Sequence, residues 1–400
     1  MWLGIETRWE RSSSGARTRV TVDRSPLELL SHLVSIPSHI SQVQGIEAVG
    51  ELIGTELAGL GFERSEAAPA ARRAPAWAEE ILSPGVSFDD LLDPIVWQRP
   101  GTSPGDLLIL GDLDAALALD EDACRLTIRA GRAIGPAVAD MKGGLVVLVE
   151  ALGNLARSRL PMPSITVVLS ADEQAGSLRS AATINQRADA ASWCICVECA
   201  RDGGRLMRSR GHIGIGRLTA TGTEAHAGSA REAGTNAISL LARGIVALDE
   251  ISGREATVTP TILTGGRRRS LVPAEATAVL DVRARDAAAW SVLEDRMRAL
   301  MEPGVDLGLF NHRPGLPATD RTEWFLGLVR EVAGPLGLEI DAMDSLAAGS
   351  SAFVDSTRIP VLDGMGPTGG GLMTEGEYVE VESLSIRGAL LAATIQRLGS

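Results

Sequence analysis

The chain has 400 residues, of which 45% are hydrophobic and 22% are charged, and this size and composition suit a globular protein of two domains. Its formal net charge of -13 at pH 7 argues against a nucleic-acid-binding surface. The apolar run at 143–151 is interrupted by Glu150 and is far too short to span a membrane. Residues 1–25 lack the apolar region of a signal peptide, so we predict an N-terminal extension on a cytoplasmic protein.

The first half of the chain alternates between predicted helices and strands. Apolar residues have helical spacing at 26–33 and 44–61, and a further apolar helix is predicted at 142–155. Short apolar runs at 106–110 and 165–169 each end near a glycine or an acidic cluster. Because buried strands of α/β proteins have this form, the pattern predicts a mostly parallel sheet.

The middle of the chain has a different pattern. Residues 212–220 and 277–282 alternate between apolar and polar side chains, and residues 236–251 between them have the spacing of an amphipathic helix. Helix and strand alternation then returns. We therefore predict an α/β fold with an inserted α+β domain that contains an antiparallel sheet. The predicted boundaries are 1–208 with 316–400 for the α/β domain and 209–315 for the inserted domain.

Three of the four cysteines, Cys194, Cys196 and Cys199, form a C-x-C-x-x-C pattern. No second cluster completes a site with four thiolates, so the pattern alone does not predict a metal centre. Residues 193–197 have the pattern of a buried strand, in which the first two cysteines fill space. Cys199 follows Glu198 at the end of that strand, where α/β sheets carry functional groups, and is a candidate pocket residue.

A series of short motifs resembles the M20 family of metallopeptidases and amidohydrolases, closest to its glutamate carboxypeptidase and aminoacylase-like branch. The resemblance covers about residues 27–398, and it depends on the order and spacing of the motifs together. The motifs are Asp112-Leu113-Asp114, Asp140-Met141-Lys142-Gly143-Gly144, Asp172-Glu173-Gln174, Val197-Glu198, Glu224-Ala225-His226-Ala227-Gly228, Gly234-Thr235-Asn236-Ala237-Ile238, Val272-Pro273 with Asp281-Val282-Arg283, and Leu372-Met373-Thr374.

The resemblance implies a role for each metal position. In that family the aspartate at the position of Asp140 bridges two zinc ions. The residues at the positions of Asp112 and Glu198 bind the first zinc, and those at the positions of Gln174 and Met373 complete the second. The family pattern therefore predicts five metal-ligand positions in this chain.

The resemblance also implies the residues around the metal ions. Glu173 occupies the place of the general base, and Asp114 the place of the residue that orients the first ligand histidine. His226, from the inserted domain, occupies the place of the residue that steadies the substrate carbonyl. Arg283 either binds a substrate carboxylate or forms an ion pair on its strand. The family uses the inserted domain as a lid and for dimerisation, so we expect a homodimer.

The metal positions depart from the family pattern. Asp112 and Met373 stand where histidines are usual, and Gln174 stands where a glutamate is usual. Because zinc sites usually contain imidazole or thiolate, we predict that no zinc binds and that the protein has no cofactor. Alternatively, Asp112, Asp140 and Glu198 hold one hard cation such as Mg²⁺ or Mn²⁺.

Three functions follow, in decreasing order of preference. The first is metal-independent cyclisation, isomerisation or acyl transfer on an amino-acid-derived or amide substrate, with Glu173 and His226 as the catalytic residues. The second is a single-metal amidohydrolase or carboxypeptidase, and the third is a non-catalytic protein that binds an amino acid or peptide. The candidates for substrate binding are Asp112, Asp114, Asp140, Glu198, Cys199, Asn236, Arg283 and Met373.

Overall fold

A computed structural model describes residues 25–69, 73–75, 77–82, 85–158, 160–201 and 203–400, without the side chains of residues 80, 311 and 312. The predicted N-terminal extension lies outside the described residues, apart from Ser25. Among the described residues, no helix is both long and apolar enough to cross a membrane.

The helices predicted at 26–33, 44–61, 142–155 and 236–251 are all present, and each begins and ends within about three residues of its predicted position. Local capping explains the first boundary: the Ser25 hydroxyl accepts from the N–H of Glu28, whose carboxylate accepts from the N–H of Ser25. The α-helices are α1 Pro26–Val34, α2 Val43–Gly59, α3 Gly143–Ser158, α4 Ser180–Ala190, α5 Ala237–Asp249, α6 Ala287–Ala299, α7 Asp320–Ala333 and α8 Val381–Leu398.

The strands fall into one large mixed sheet, one antiparallel sheet of long strands and smaller ribbons. They are β1 Glu63–Ser65, β2 Ile95–Arg99, β3 Asp106–Asp112, β4 Thr127–Arg129, β5 Arg132–Ile134, β6 Ser164–Ser170, β7 Trp193–Cys196, β8 Leu206–Arg210, β9 His212–Thr221, β10 Ala225–His226, β11 Ala256–Gly265, β12 Leu271–Val272, β13 Glu275–Ala284, β14 Val305–Arg313, β15 Ala342–Ser345, β16 Val361–Leu362, β17 Gly369–Gly370 and β18 Tyr378–Glu380.

The main sheet has the strand order β1-β2-β6-β3-β7-β16. Strands β6, β3, β7 and β16 are parallel to one another, and β2 runs antiparallel to both of its neighbours, β6 and β1. Ile109 packs with the helices on one face, whereas Leu108 and Leu110 pack with α4 on the other. Because both faces are covered, β3 is a continuous apolar run rather than an alternating one. The predicted α/β class is confirmed.

The second sheet is antiparallel, in the order β11-β13-β9-β14. Along β13 every second residue is buried, and Leu280 and Val282 pack against apolar residues of the covering helices, including Leu241 and Trp290. This alternation is typical of a sheet with one covered face, and it agrees with the predicted α+β insertion. The boundaries at 209 and 315 stay a proposal.

Two chain segments connect the sheets, and they run side by side. The N–H of Arg210 donates to the carbonyl of Leu316, and the N–H of Leu316 donates to the carbonyl of Arg210, each at 2.9 Å. Arg210 ends β8 just before β9, and Arg313 ends β14 just before this bridge. Each crossover therefore carries an arginine close to the carboxyl edge of the main sheet.

Candidate functional site

A cleft of about 430 Å³ lies where the carboxyl edge of the main sheet faces the inserted sheet. One wall contains Asp140, Glu173 and Glu198, and the other contains residues of β9 and β13, including Arg283. The acidic residues are distant in sequence. Glu173 and Glu198 follow the parallel strands β6 and β7 and so meet at one edge of the sheet, and Asp140 joins them from the segment before α3. This cleft is the candidate site.

Glu173, which follows β6, is engaged through both oxygens of its carboxylate. Its Oε1 accepts from Nη1 of Arg313, and its Oε2 accepts from Nε2 of Gln174 at 2.9 Å. Nη2 of Arg313 also donates to the backbone carbonyl of Glu173 at 3.0 Å. Arg313 is only 4% exposed, so the pair is shielded from water. Each oxygen keeps a further lone pair, and Glu173 lines the cleft, so its carboxylate can still accept from a water there.

Glu198 is paired with the arginine of the other crossover. Nη2 of Arg210 lies 2.9 Å from Oε2 of Glu198, and Nε of Arg210 donates to Oδ2 of Asp363 at 2.9 Å. Arg201 is farther away, with its Nη2 3.9 Å from the same Oε2. Burial raises the pKa of Glu198, and the charge of Arg210 opposes that effect. One buried guanidinium therefore contacts two buried carboxylates.

Asp112 and Asp140 have no arginine or lysine nitrogen within 4.0 Å among the described residues, unlike the two glutamates. Asp112 ends β3 and accepts a hydrogen bond from Oγ of Ser350 at 3.0 Å. Burial first, and then repulsion by Glu173 and Glu198, raises the pKa of Asp112 well above its usual range. Burial and the same two glutamates also raise the pKa of Asp140.

Asp114 holds the turn that carries Glu173. Its Oδ1 accepts from the N–H of Glu173 at 3.1 Å, and its Oδ2 accepts from the N–H of Gln174 at 2.8 Å. Burial, ahead of repulsion by Glu173, raises the pKa of Asp114 to about 8. Asp114 thus fixes a segment of backbone in the place where the family pattern implied a histidine partner.

Met373 and Arg283 both line the cleft. Met373 has a φ of 59°, in the left-handed region, and is 52% exposed. Nε and Nη2 of Arg283 donate to the two carboxylate oxygens of Asp281 at 2.7 and 3.0 Å. The ion pair that the sequence left open is therefore present, and Arg283 must loosen it before it binds a substrate carboxylate with both nitrogens.

His226 and Asn236 are not among the residues that line the cleft. His226 is exposed, and its Nδ1 accepts from the N–H groups of Gly228 and Ser229 at 3.2 and 3.1 Å. Asn236 is the N-cap of α5, where its Oδ1 accepts from the N–H of Ser239 at 3.2 Å. Within one chain, neither side chain is placed to touch a substrate in the cleft.

Cys199 also lies outside the set of cleft residues. It is 1% exposed, and its thiol donates to the carbonyl of Ala200 at 3.1 Å. Burial raises the pKa of this thiol to about 12, which leaves it protonated and unreactive at neutral pH. The location of Cys199 does not match the pocket role that we predicted for it.

Sequence reasoning missed the two crossover arginines. Arg210 and Arg313 lie just inside the two ends of the predicted inserted domain, which was the available signal. Each has one remote partner, however: Asp363 is 153 positions from Arg210, and Glu173 is 140 positions from Arg313. No local pattern reports contacts of that separation.

Comparisons with known proteins bear on the family. Residues 208–305 match a family model described as a peptidase dimerisation domain. Carboxypeptidase G2 of Pseudomonas sp. strain RS-16 is 28% identical to this chain over 404 residues, which cover 96% of this chain and 92% of that protein. An M20 family metallo-carboxypeptidase from Sulfolobus solfataricus has the same fold, with a TM-score of 0.71 and 14% identity over 94% of this chain and 100% of that one.

The chain is similar to M20 family proteins along nearly its whole length, as the sequence motifs indicated. A further solved structure of similar fold comes from Bacillus subtilis and is described as a dinuclear metal-binding peptidase from the M20 family. Its TM-score is 0.64, with 14% identity over 94% of this chain and 97% of that one. The family resemblance that the sequence motifs predicted is thus confirmed.

The prediction that this protein has no cofactor is wrong. The Bacillus subtilis neighbour is a dinuclear metal-binding peptidase, and in this chain Cys196, Glu198 and Asp363 bring possible ligand atoms within 4.8 Å of one another. The loss of histidines from family positions does not remove a metal site, because carboxylates are metal ligands in their own right. The metal-independent mechanism depended on that prediction and loses its basis.

Proposed function

We propose that this protein is a metal-dependent amide hydrolase whose substrate is a small amino-acid derivative with a free carboxylate. The observation that carries the proposal is the group of buried carboxylates beside a cleft of about 430 Å³. Small-molecule sites usually enclose roughly 300–1,000 Å³, so the cleft suits a dipeptide or an N-acyl amino acid.

We propose Asp112, Asp140 and Glu198 as the metal ligands. All three are carboxylates, two of them have no cationic partner within 4.0 Å among the described residues, and repulsion by Glu198 acts on both aspartates, which favours a bound cation. Ligand sets made of oxygen suit Mg²⁺, Mn²⁺ or Ca²⁺ better than zinc. We therefore place a hard divalent cation at these three residues.

The group of Cys196, Glu198 and Asp363 fits a metal ion less well, although its atoms are close together. Arg210 already contacts both carboxylates at 2.9 Å. Burial also raises the pKa of the Cys196 thiol well above its usual value, which disfavours the thiolate that binds metals. A cation at this group would have to displace a buried guanidinium.

When bound, a divalent ion supplies Lewis acidity to the amide carbonyl and makes a nearby water more acidic. Glu173 is our candidate for the base that takes the proton of the attacking water. Asp114 holds the backbone of Glu173 in place, and the contacts with Arg313 and Gln174 orient its carboxylate while leaving a lone pair on each oxygen for this step.

Two of the arginines that line the cleft are suited to binding a substrate that carries a carboxylate. Arg283 comes from the inserted sheet, and Arg201 follows β7 in the main sheet. Guanidinium groups bind carboxylates through two parallel hydrogen bonds. We propose that Arg283 binds the substrate carboxylate and that Arg201 helps to keep the acidic wall accessible to an anionic ligand.

We also propose that the protein acts as a homodimer. The match of residues 208–305 to a peptidase dimerisation domain supports this proposal. His226, which lies in that range, is exposed and does not line the cleft of its own chain. We keep a substrate-contacting role for His226 as part of the dimer proposal, and light scattering on the purified protein tests the oligomeric state.

A second candidate function is binding of an amino acid or peptide without turnover. It is favoured by the engagement of both carboxylate oxygens of Glu173, because contacts with Arg313 and Gln174 would serve equally well to hold the turn in a protein without turnover. The two candidates share the cleft and differ in whether Glu173 takes a proton from water.

The deciding experiment is a calorimetric titration of chelator-treated protein with Mn²⁺ and Mg²⁺, followed by assays on N-acyl amino acids and dipeptides. We expect saturable metal binding and metal-dependent hydrolysis. We expect Glu173→Gln to lower kcat by about 10²–10⁴-fold with metal binding retained. Glu323→Gln, on an exposed residue of α7, is the matched control.

Three outcomes separate the candidates. Protein that takes up neither cation at millimolar concentration contradicts the hydrolase proposal. Saturable binding of a dipeptide with no product formed, in wild type and Glu173→Gln alike, favours the non-catalytic function. Hydrolysis at the same rate in both proteins would remove Glu173 from the mechanism.

A further inference from the structure

Glu377 is a buried carboxylate that receives three backbone hydrogen bonds. It is 2% exposed. Its Oε1 accepts from the N–H groups of Ala139 and Asp140 at 2.7 and 2.9 Å, and its Oε2 accepts from the N–H of Met373 at 3.2 Å. One side chain thus binds two separate loops, and the Asp140 loop is more than 230 positions away in sequence.

The backbone of Glu377 is itself held in place. Its carbonyl accepts from the N–H of Gly135 at 3.1 Å, and β18, which starts at the next residue, pairs with β5 and β17. The carboxylate therefore extends from a fixed point in a small sheet rather than from a free loop. Each of its two oxygens accepts from a different loop of the same site.

Both loops that Glu377 holds carry residues of the cleft. Asp140 and Met373 line it, and each has backbone angles outside the regular helical range: φ of -121° and ψ of 84° at Asp140, and φ of 59° at Met373. Irregular backbone of this kind persists where surrounding contacts determine it. The hydrogen bonds to Glu377 are such contacts at both positions.

We propose that Glu377 is a positioning residue that sets the direction of the Asp140 carboxylate and the Met373 loop, so that the metal site forms without a large rearrangement. It does so through backbone N–H groups, without contacting the metal or the substrate. This inference rests on the proposed metal-dependent function. Residues that orient metal ligands typically contribute about 10–100-fold to metal affinity.

Glu377→Gln is the informative substitution. The amide has nearly the shape of the carboxylate, but its NH₂ group cannot accept a hydrogen bond. Whichever way the amide is oriented, the N–H groups of at least one loop lose their acceptor. Asp286→Asn is the matched control, because Asp286 is also a carboxylate that accepts a backbone N–H, at the start of α6 in the inserted sheet's domain.

The first measurement is the Kd for Mn²⁺ by calorimetry on wild type, Glu377→Gln and Asp286→Asn. We expect the Kd to rise by about 10–100-fold in Glu377→Gln and to be unchanged in Asp286→Asn. Ile395→Val, in the core of α8, controls for a general loss of stability, and it should leave the Kd unchanged.

The second measurement is amide hydrogen exchange in metal-free protein, in peptides that cover 135–142 and 371–378. We expect faster exchange in at least one of these peptides in Glu377→Gln, and unchanged exchange elsewhere. Wild-type protein that binds Mn²⁺ with a Kd equal to that of Glu377→Gln overturns the inference. Wild-type protein that binds no Mn²⁺ overturns the proposed function. If the exchange of both peptides is also the same in wild type and Glu377→Gln, Glu377 is not a positioning residue either.

Discussion

The acidic site has two halves that differ in how their charge is balanced. The arginine-paired half consists of Glu173 with Arg313 and Glu198 with Arg210, and the aspartate half consists of Asp112 and Asp140. Both halves lie at the carboxyl edge of the same sheet. In the first half the positive charge comes from the chain itself, at the crossovers to the inserted sheet. In the second half, no arginine or lysine among the described residues contacts the carboxylates within 4.0 Å.

This difference indicates where an external cation belongs. Buried like charges that lack a partner repel each other and favour protonation or a bound cation. A buried charge with a good partner loses much stability when that partner is removed. The two halves should therefore respond in opposite directions to the loss of one charged group.

The largest effect is expected from Arg210→Leu, in the arginine-paired half. The substitution leaves Glu198 and Asp363 buried without their guanidinium, and such a loss typically costs about 3–5 kcal/mol. Urea unfolding of the metal-free protein measures it. Arg208→Ala, which removes an exposed arginine of the same strand, should cost at most about 1 kcal/mol. Equal losses of unfolding free energy in the two variants would mean that the buried ion pairs of Arg210 stabilise the protein no more than the exposed pair of Arg208.

The aspartate half should behave in the opposite way. We expect Asp140→Asn to raise the free energy of unfolding of the metal-free protein by roughly 1–2 kcal/mol at pH 8, because it removes one of several repelling buried charges. The same variant should lose Mn²⁺ binding. Destabilisation of the metal-free protein by Asp140→Asn would contradict the comparison between the halves.

A smaller effect is expected on substrate recognition. Arg283→Lys replaces a two-pronged guanidinium by a single ammonium, so we expect KM for a carboxylate-bearing substrate to rise about tenfold while kcat changes little. The comparison substrate is the same amide with its carboxylate methylated, for which the variant and wild type should have similar KM values. Arg285→Lys, at an exposed site beyond β13, serves as the control.

The smallest effect is on the pH dependence of stability, and it comes from two histidines rather than from the acidic site. Burial lowers the pKa of His212 and His39. Below about pH 6.5 these histidines bind protons more readily in the unfolded chain than in the folded protein. The free energy of unfolding should therefore fall as the pH decreases. His212→Gln should flatten the fall in Tm between pH 7 and 5, whereas His32→Gln, on an exposed residue of α1, should not.

Much of the fold was predictable from local patterns. Apolar runs that end at Asp112 and Glu198 predicted buried parallel strands, and the alternation at 277–282 predicted a half-covered antiparallel strand. These patterns are reliable because they reflect the period of the backbone itself. The same patterns placed the acidic residues at strand ends, and therefore together at one edge of the sheet.

The sequence by itself determined the α/β class, the inserted antiparallel sheet, the family and the acidic edge of the site, because each depends on the order and period of neighbouring residues. Only the tertiary structure decided which carboxylates meet Arg210 and Arg313, that Glu377 binds the loops of Asp140 and Met373, and that Asn236 caps a helix away from the cleft. Three of those contacts, Arg210–Asp363, Arg313–Glu173 and Glu377–Asp140, join residues more than a hundred positions apart. Charge balance in a buried site depends on such distances in space, which spacing along the chain does not specify.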